Sequence, residues 1–271
     1  MRNFIKIAMD AGSAAESEIL IADLAENDFY AFEQNEDVLM AYIKEEDFDE
    51  EKLKSLLPQS IGYECSVIAG RNWNEDWESQ FHPVTIKNFV GIRASFHEAL
   101  EGVEHEIVIT PKMSFGTGHH ETTCLMVEQM GKINFKNKTV LDFGTGTGIL
   151  AILAEKLGAA SILAIDNDEW SINNAAENTE VNHCKHIYLE KRDNIEGLSC
   201  VNILLANINF NVLTQNAKNL SALLESNSLL VISGFLLKDE ESIVGIFVKN
   251  HFVTIAREQK NEWVSLVLEK C

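Results

Sequence analysis

Residues 139–154 constrain this chain more than any other stretch. Thr139-Val140-Leu141 is an apolar run, Asp142-Phe143-Gly144-Thr145-Gly146-Thr147-Gly148 is a glycine-dense turn, and Ile149-Leu150-Ala151-Ile152-Leu153-Ala154 has a helical pattern. A strand that enters such a turn and leaves as a helix offers bare main chain to a ligand, because glycine has no Cβ to block the approach and tolerates positive φ. The spacing separates two ligand classes. A dinucleotide fingerprint places glycine at relative positions 0, 2 and 5. Here position 5 is Ile149, and the third glycine, Gly148, comes one residue early. With Asp142 just ahead, this is the form taken by S-adenosylmethionine (SAM) sites, and it favours a methyl donor over a nicotinamide.

From about residue 105 onward, strands alternate with helices, which calls for a parallel sheet. Strands are expected at 139–143, 161–166, 186–190, 201–206 and 228–233, and helices at 148–157, 169–179, 210–224 and 239–249. The β-rich runs 251–258 and 263–269 flank a polar turn at 259–262 and read as a hairpin, adding an antiparallel pair at a sheet edge. The expected fold is α/β, with a seven-stranded Rossmann-like sheet ending in that hairpin.

The start of the chain is organised differently. Residues 3–9 alternate like a half-buried strand, and Ala15, Ile19 and Ala22, joined by Leu20 and Leu24, form a helical stripe. Two strands follow at 29–32 and 38–43, then an acidic helix at 49–57 that turns Leu53, Leu56 and Leu57 inward and ends at Pro58, then a strand at 61–68. The order β-α-β-β-α-β is that of a small α+β, ferredoxin-like domain. Residues 70–95 hold Trp73 and Trp77 one helical turn apart, His82-Pro83 and a short strand at 88–93, and read as a linker with some structure of its own. The expected divisions are 1–69, a linker at 70–104, and 105–271.

The formal net charge is −20, and residues 1–70 carry −11 of it, with 16 acidic and 5 basic residues. Such a field repels nucleic acid and steers cationic partners; the plainer reading is a solvated surface that maintains solubility. Five cysteines, odd in number and without a C-x-x-C pair, suit reduced thiols. The N-terminus has no apolar signal region, and no apolar stretch reaches bilayer length. The expectation is a soluble, cytoplasmic protein with no membrane partner.

Ligands of open α/β sheets sit beyond the carboxyl ends of the strands, so the strand ends name the candidates. The first gives Gly144 and Gly146, with the N-terminus of helix 148–157 aimed at the ligand. The second ends at Asp166-Asn167-Asp168: Asp166 is placed to accept ribose hydroxyls, while Asp168 suits a helix cap. After the third, Asp193 is either an acceptor for the adenine amino group or a turn residue. The fourth, Val201-Asn202-Ile203-Leu204-Leu205-Ala206, ends at Asn207. A neutral amide there can hold a substrate amine by a hydrogen bond and leave its lone pair free, whereas a carboxylate would keep the amine protonated; the alternative role is N-cap of helix 210–224. Upstream, Phe115-Gly116-Thr117-Gly118-His119-His120-Glu121-Thr122-Thr123 puts two histidines side by side. Adjacent histidines on a helix diverge, so no metal is assigned, and the cluster reads as a lid over the donor that feeds a helix starting near Glu121 or Thr122.

These clusters, taken in order with a late Glu262-Trp263-Val264, resemble the PrmA-type methyltransferases, which modify ribosomal protein L11 of the large subunit. The resemblance covers most of residues 72–269. It implies SAM-binding roles for Thr123, Gly144, Asp166 and Asn207, with Phe115 and Gly116 close to the donor. It also implies that the N-terminal domain captures a basic ribosomal protein whose lysine and N-terminal amines are methylated, often to the trimethyl stage. Trp263 would then line the acceptor channel, its ring favouring a cation that grows more methylated; otherwise it is a core residue. The chain departs from the family by carrying Thr145 where cysteine is frequent, and by a shorter N-terminal region. Two other readings use the same elements: an NAD-dependent oxidoreductase, and a SAM-fold ribosome-assembly factor without transferase activity. Direct nucleic-acid binding is not expected.

Overall fold

A computed structural model of the chain describes residues 4–10, 20–21, 23–24, 27, 29, 31–35, 38–58, 61–68, 82–110 and 118–271. They fall into two units, Met1–Gln80 and Phe81–Cys271.

In the first unit, β1 (Phe4–Asp10), β2 (Ala31–Asn35), β3 (Val38–Lys44) and β4 (Tyr63–Ile68) pair antiparallel in the order β2-β3-β1-β4. Alternation on β1 turns Ile5, Ile7 and Met9 to one face, in register with Ile43, Ala41 and Leu39 of β3, and all six are buried. Helix α1 (Glu50–Leu56) adds Leu53 to this core. It starts at Asp49, whose carboxylate accepts the main-chain N–H groups of Glu51 and Lys52. The expected first helix falls largely outside the described residues; Leu20 and Leu24, which belong to it, are buried. Trp73 and Trp77 also lie outside them.

The second unit begins earlier than the sequence suggests. Residues 82–104, read as part of a linker, include β5 (Val84–Ile86) and β6 (Val90–Ala94), which form a three-stranded sheet with β7 (His105–Ile109). Ile86, Val90, Ile92 and Ala94 are buried in the same core as the first helices of the unit. The strand expected at 88–93 is β6, whereas the three residues of β5 are too few for alternation to stand out in the sequence.

The main sheet contains β8 (Thr139–Phe143), β9 (Ser161–Asp166), β10 (Ile187–Lys191), β11 (Val201–Asn207), β12 (Leu224–Leu236), β13 (Phe252–Lys260) and β14 (Trp263–Lys270). Its order is β10-β9-β8-β11-β12-β14-β13, parallel from β10 to β12 and antiparallel through the terminal hairpin. The apolar strands divide their residues between two layers. Ile203, Leu205 and Val231 pack with Leu150 and Leu153 of α3 (Ile149–Lys156), on the side that also holds Met126 and Met130 of α2 (Glu121–Met130). Leu204, Ala206, Leu230 and Ile232 pack with Leu213 and Leu220 of α5 (Phe210–Ala222) and Phe247 of α6 (Glu240–Lys249). From β8 the chain adds strands first toward one edge (β9, β10) and then toward the other (β11, β12), and the crevice opens at that switch point between β8 and β11.

The edge of β7 is satisfied by side chains. On α4 (Glu169–Val181) and its C-cap, Asn174, Asn178 and Asn182 recur every four residues and so share one helix face. Asn182 accepts from the Val108 N–H and donates to its carbonyl, Asn178 accepts from the Thr110 N–H, and Asn174 donates to the Thr110 carbonyl. Asn178 also donates to the Thr147 carbonyl at 2.8 Å, which ties the end of β7 to the glycine turn. Replacing Asn178 with alanine removes its hydrogen bonds to the Thr110 N–H and the Thr147 carbonyl, and the expected loss is about 2–4 kcal/mol. Urea unfolding of the two proteins measures it; an unchanged midpoint would mean the bridge contributes nothing.

Candidate functional site

A cavity of about 680 Å³ lies at the carboxyl ends of β8, β9, β10 and β11, within the ordinary size range for a small-molecule site. The glycine turn forms its floor. Gly144, Gly146 and Gly148 all have positive φ, at 79°, 54° and 82°. The N–H groups of Gly144 and Thr145 both donate to the Ile165 carbonyl, and the Gly146 N–H donates to Asp166 Oδ2 at 3.0 Å. Gly148 is the N-cap of α3 and offers no side-chain cap, and the Ala151 N–H in the first turn of that helix faces the Asp142 carboxylate.

Asp166 closes β9 and lines the cavity, as expected. Its oxygens accept one main-chain N–H each, from Gly146 and Asp168, which leaves acceptor capacity for hydroxyl groups. Asp168 caps α4 through the N–H groups of Trp170 and Ser171. Asp193 is on the wall beside Arg192, whose guanidinium is bound to its own loop through the carbonyls of Asn194 and Glu196 and the Glu190 carboxylate.

Asn207 is the last residue of β11 and also lines the cavity. It does not cap the next helix: that role belongs to Asn209, whose Oδ1 accepts from the Val212 N–H. Asn207 Oδ1 is buried and has no hydrogen-bond partner among the described residues. An orphaned acceptor costs free energy unless a ligand supplies the donor. Trp263, at the start of β14, is half-buried and reaches the same cavity from the opposite side of the strand order.

The remaining expectations divide. Phe115 and Gly116 lie outside the described residues. Thr123 is buried on α2 and is not part of the wall; Thr122, about 100° away on the helix, is. Sequence reading passed over Ile208 and Gly234, which both line the cavity. A Cβ on Gly144 would meet the Ile208 side chain at 2.4 Å, and one on Gly234, at φ 96°, would lie 2.2 Å from the Ile208 carbonyl oxygen. Ile208 is thus wedged between two bare backbones. An isolated glycine following a strand pattern was the available signal for Gly234.

The donor set fits S-adenosylmethionine: bare main chain for close approach at Gly144 and Gly146, Asp166 for ribose hydroxyls, and an unpaired amide oxygen at Asn207. Beneath the floor, Asp142 is fully buried, and burial pushes its carboxyl up to about 7; the hydroxyl of Thr145, donating to Oδ2 at 2.6 Å, acts against the rise, and the nearby charge of Asp166 adds to it. Unfolded, the same group ionises near 3.8. Between these values the folded state holds the extra proton, so this group lowers stability as pH rises from about 4 to about 7, and its cost is constant above. Asp142→Asn can still accept from Thr145 and removes the titration. Its unfolding free energy should therefore exceed that of the parent by an amount that grows from pH 5 to about pH 7 and then levels off, on the order of a few kcal/mol at the plateau. Parallel melting curves across that range would contradict the account.

The chain is similar over residues 6–271 to the family described as "Ribosomal protein L11 methyltransferase (PrmA)". Among curated proteins, the ribosomal protein L11 methyltransferase of Bacteroides thetaiotaomicron is 36% identical over 259 residues, covering 92% of each chain. That of Porphyromonas gingivalis is 39% identical over 231 residues, covering 82% of this chain and 80% of its own. Among solved structures, the ribosomal protein L11 methylase of Lactobacillus delbrueckii subsp. bulgaricus superimposes with a TM-score of 0.65 at 27% identity, covering 70% of this chain and all of that one.

Proposed function

The chain belongs to the ribosomal protein L11 methyltransferase family, and on that membership we propose that it methylates lysine side-chain and N-terminal amines of L11, with Asn207 and Trp263 at the acceptor nitrogen. It is a SAM-dependent methyltransferase of ribosomal protein L11; the choice of amine is our reading. The observation that carries it is the buried, unpartnered Oδ1 of Asn207 at the tip of β11.

The bound cofactor supplies a methyl group on a sulfonium, whose departure as a neutral thioether makes a strong base unnecessary. The chain's own residues bind and orient. Gly144 and Gly146 admit the donor to the main chain, Asp166 holds its ribose and Asp193 its adenine amino group. Asn207 Oδ1 accepts an N–H from the acceptor amine, so the nitrogen lone pair stays available for the carbon it attacks. A neutral amide does this without stabilising the ammonium form, and desolvation in the cavity favours the neutral amine further. The displaced amine proton passes to water. The Trp263 ring provides a face for the methylated cation.

The first unit, with the strand order of a ferredoxin-like domain, is read as the part that captures the substrate. Its excess of acidic residues suits a basic ribosomal protein and disfavours direct nucleic-acid binding. No described helix is long and apolar enough to cross a membrane, and we read the chain as working in the cytoplasm, where L11 is made. The nicotinamide reading gives way to the family.

The test is mass spectrometry of L11 after incubation with labelled S-adenosylmethionine. Transfer to lysine or N-terminal nitrogen is expected; a product with no label on any amine overturns the reading, as an assembly factor without activity would give. Asn207→Ala should lower kcat about a hundredfold while changing donor affinity much less, and the parent rate should rise from pH 7 toward pH 10 as the amine, with a reference pKa of about 10.4, loses its proton. If the acidic unit recruits L11 by charge, KM for L11 should climb steeply with salt. A KM indifferent to salt would reduce the acidity to a solubility device.

A further inference from the structure

The sequence leaves the adjacent His119 and His120 without a role, and the structure separates them. His119 Nε2 lies 3.0 Å from the His82 carbonyl at the surface. His120 turns the other way and lines the cavity together with Thr122, Asn207 and Trp263. We propose that His120 is a specificity-determining residue: by fixing the Trp263 ring it sets how many methyl groups the acceptor nitrogen receives. This rests on the reading of the cavity as an amine-acceptor site.

Two sets of contacts carry the inference. His120 is the N-cap of α2, with extended dihedrals, and its Nδ1 accepts from the Thr122 N–H at 3.3 Å and lies 2.8 Å from the Thr122 hydroxyl. A ring nitrogen that accepts carries no proton, so this cap uses Nδ1 as its acceptor. The cap also fixes the rotation of the ring. That ring meets Trp263 edge to face, with centroids 4.8 Å apart and planes at 71°. One residue on, Glu121 accepts a hydrogen bond from the Asn261 side chain, in the turn just before Trp263. The start of α2 and the β13–β14 turn are therefore joined at two adjacent residues, one of them through Trp263 itself.

The consequence follows from what methylation does to the acceptor. Each transfer replaces an N–H with a bulkier methyl group, so the nitrogen loses hydrogen-bond donors and gains size and, by the third transfer, a permanent charge. Asn207 can hold an amine that still has an N–H, but it has nothing to offer the product of the last step. A rigid aromatic wall does, because a tryptophan face attracts a methylated ammonium. A wall free to swing would not hold the dimethylamine in line with the donor, and an error of about 1 Å can cost a hundredfold in rate.

The experiment compares His120→Asn, His120→Ala and Trp263→Phe with the parent, reading the ratio of mono-, di- and trimethylated L11 by mass spectrometry, with melting temperature and donor affinity measured on each. Asparagine is among the best N-caps, so His120→Asn retains the start of α2 and removes only the ring. The expected result is an unchanged melting temperature and donor affinity, with the trimethyl fraction reduced at least tenfold in favour of lower states. Trp263→Phe should shift the ratio the same way, and the double variant no further than either single one, since the two act through one contact. A parental ratio in His120→Asn overturns the proposal. So does a shift confined to His120→Ala and matched by its loss of melting temperature, which would assign the histidine to the cap alone. A parent enzyme that stops at one methyl group also overturns it, and one that labels no amine would overturn the acceptor reading beneath it.

Discussion

The contact on which the site depends is the lodging of Ile208 between two glycines. Its side chain lies where a Cβ of Gly144 would be, and its carbonyl lies where a Cβ of Gly234 would be. No other residue type lets three chain segments approach so closely, and both glycines take a φ that side chains disfavour. The approach brings the tips of β8, β11 and β12 to one point. It also accounts for the irregular pairing of β12 with β14 between Ile232 and Phe235, since the strand must bulge to bring Gly234 against Ile208. After the bulge, Leu236 pairs with Trp263 and sets that residue at the cavity. The donor floor, the amide at 207 and the aromatic wall are thus placed by one packing event.

Around that point, most of the wall's polar side chains are neutral, and its charges are kept apart. Asp166 and Asp193 are at the ends of β9 and β10, the Arg192 guanidinium is bound to its own loop, and Asp142 lies buried below. Asn207, Thr122, His120 and Trp263 add an amide, a hydroxyl, an imidazole whose Nδ1 accepts, and an indole to the same wall. Such a division suits a reaction in which positive charge moves from sulfur to nitrogen: a carboxylate at the acceptor would hold the amine as an ammonium ion. Thr145 acquires a reason here as well. Its hydroxyl reaches Asp142 and offsets part of the cost of burying a carboxyl beneath the turn, a bond for which a thiol is a weaker donor.

Much of the site was legible because its signals are local. Glycine spacing at 144–148 reports what the main chain alone can do, and Asp166 and Asn207 follow from reading the ends of strands whose apolar runs are unmistakable. The helix cap at Asp168 is a property of neighbouring residues. Where the reading stopped, the missing information was tertiary. Thr122 and Thr123 differ by one position on a helix, and only the packing of α2 decides which faces the cavity. The asparagines at 174, 178 and 182 look like solvent-facing polar residues in a sequence; they are instead the partners of a strand edge distant along the chain. In the segment 82–104 the sequence shows the strand at 88–93 that became β6, but not β5 nor that both strands join the core of the second unit.

By itself, then, the sequence determined the alternation of strands and helices, the terminal hairpin, the chemical class of the donor and the identity of the residues at the strand tips. These are consequences of backbone freedom, side-chain period and the hydrogen-bonding capacity of single groups, all of which act over a few residues. Only the tertiary structure decided that Asn209 rather than Asn207 caps α5, that Ile208 separates two glycines 90 positions apart, and that His120 and Trp263 share a wall. Each of those depends on which surfaces meet once apolar area leaves water, and that choice is made by the whole core at once.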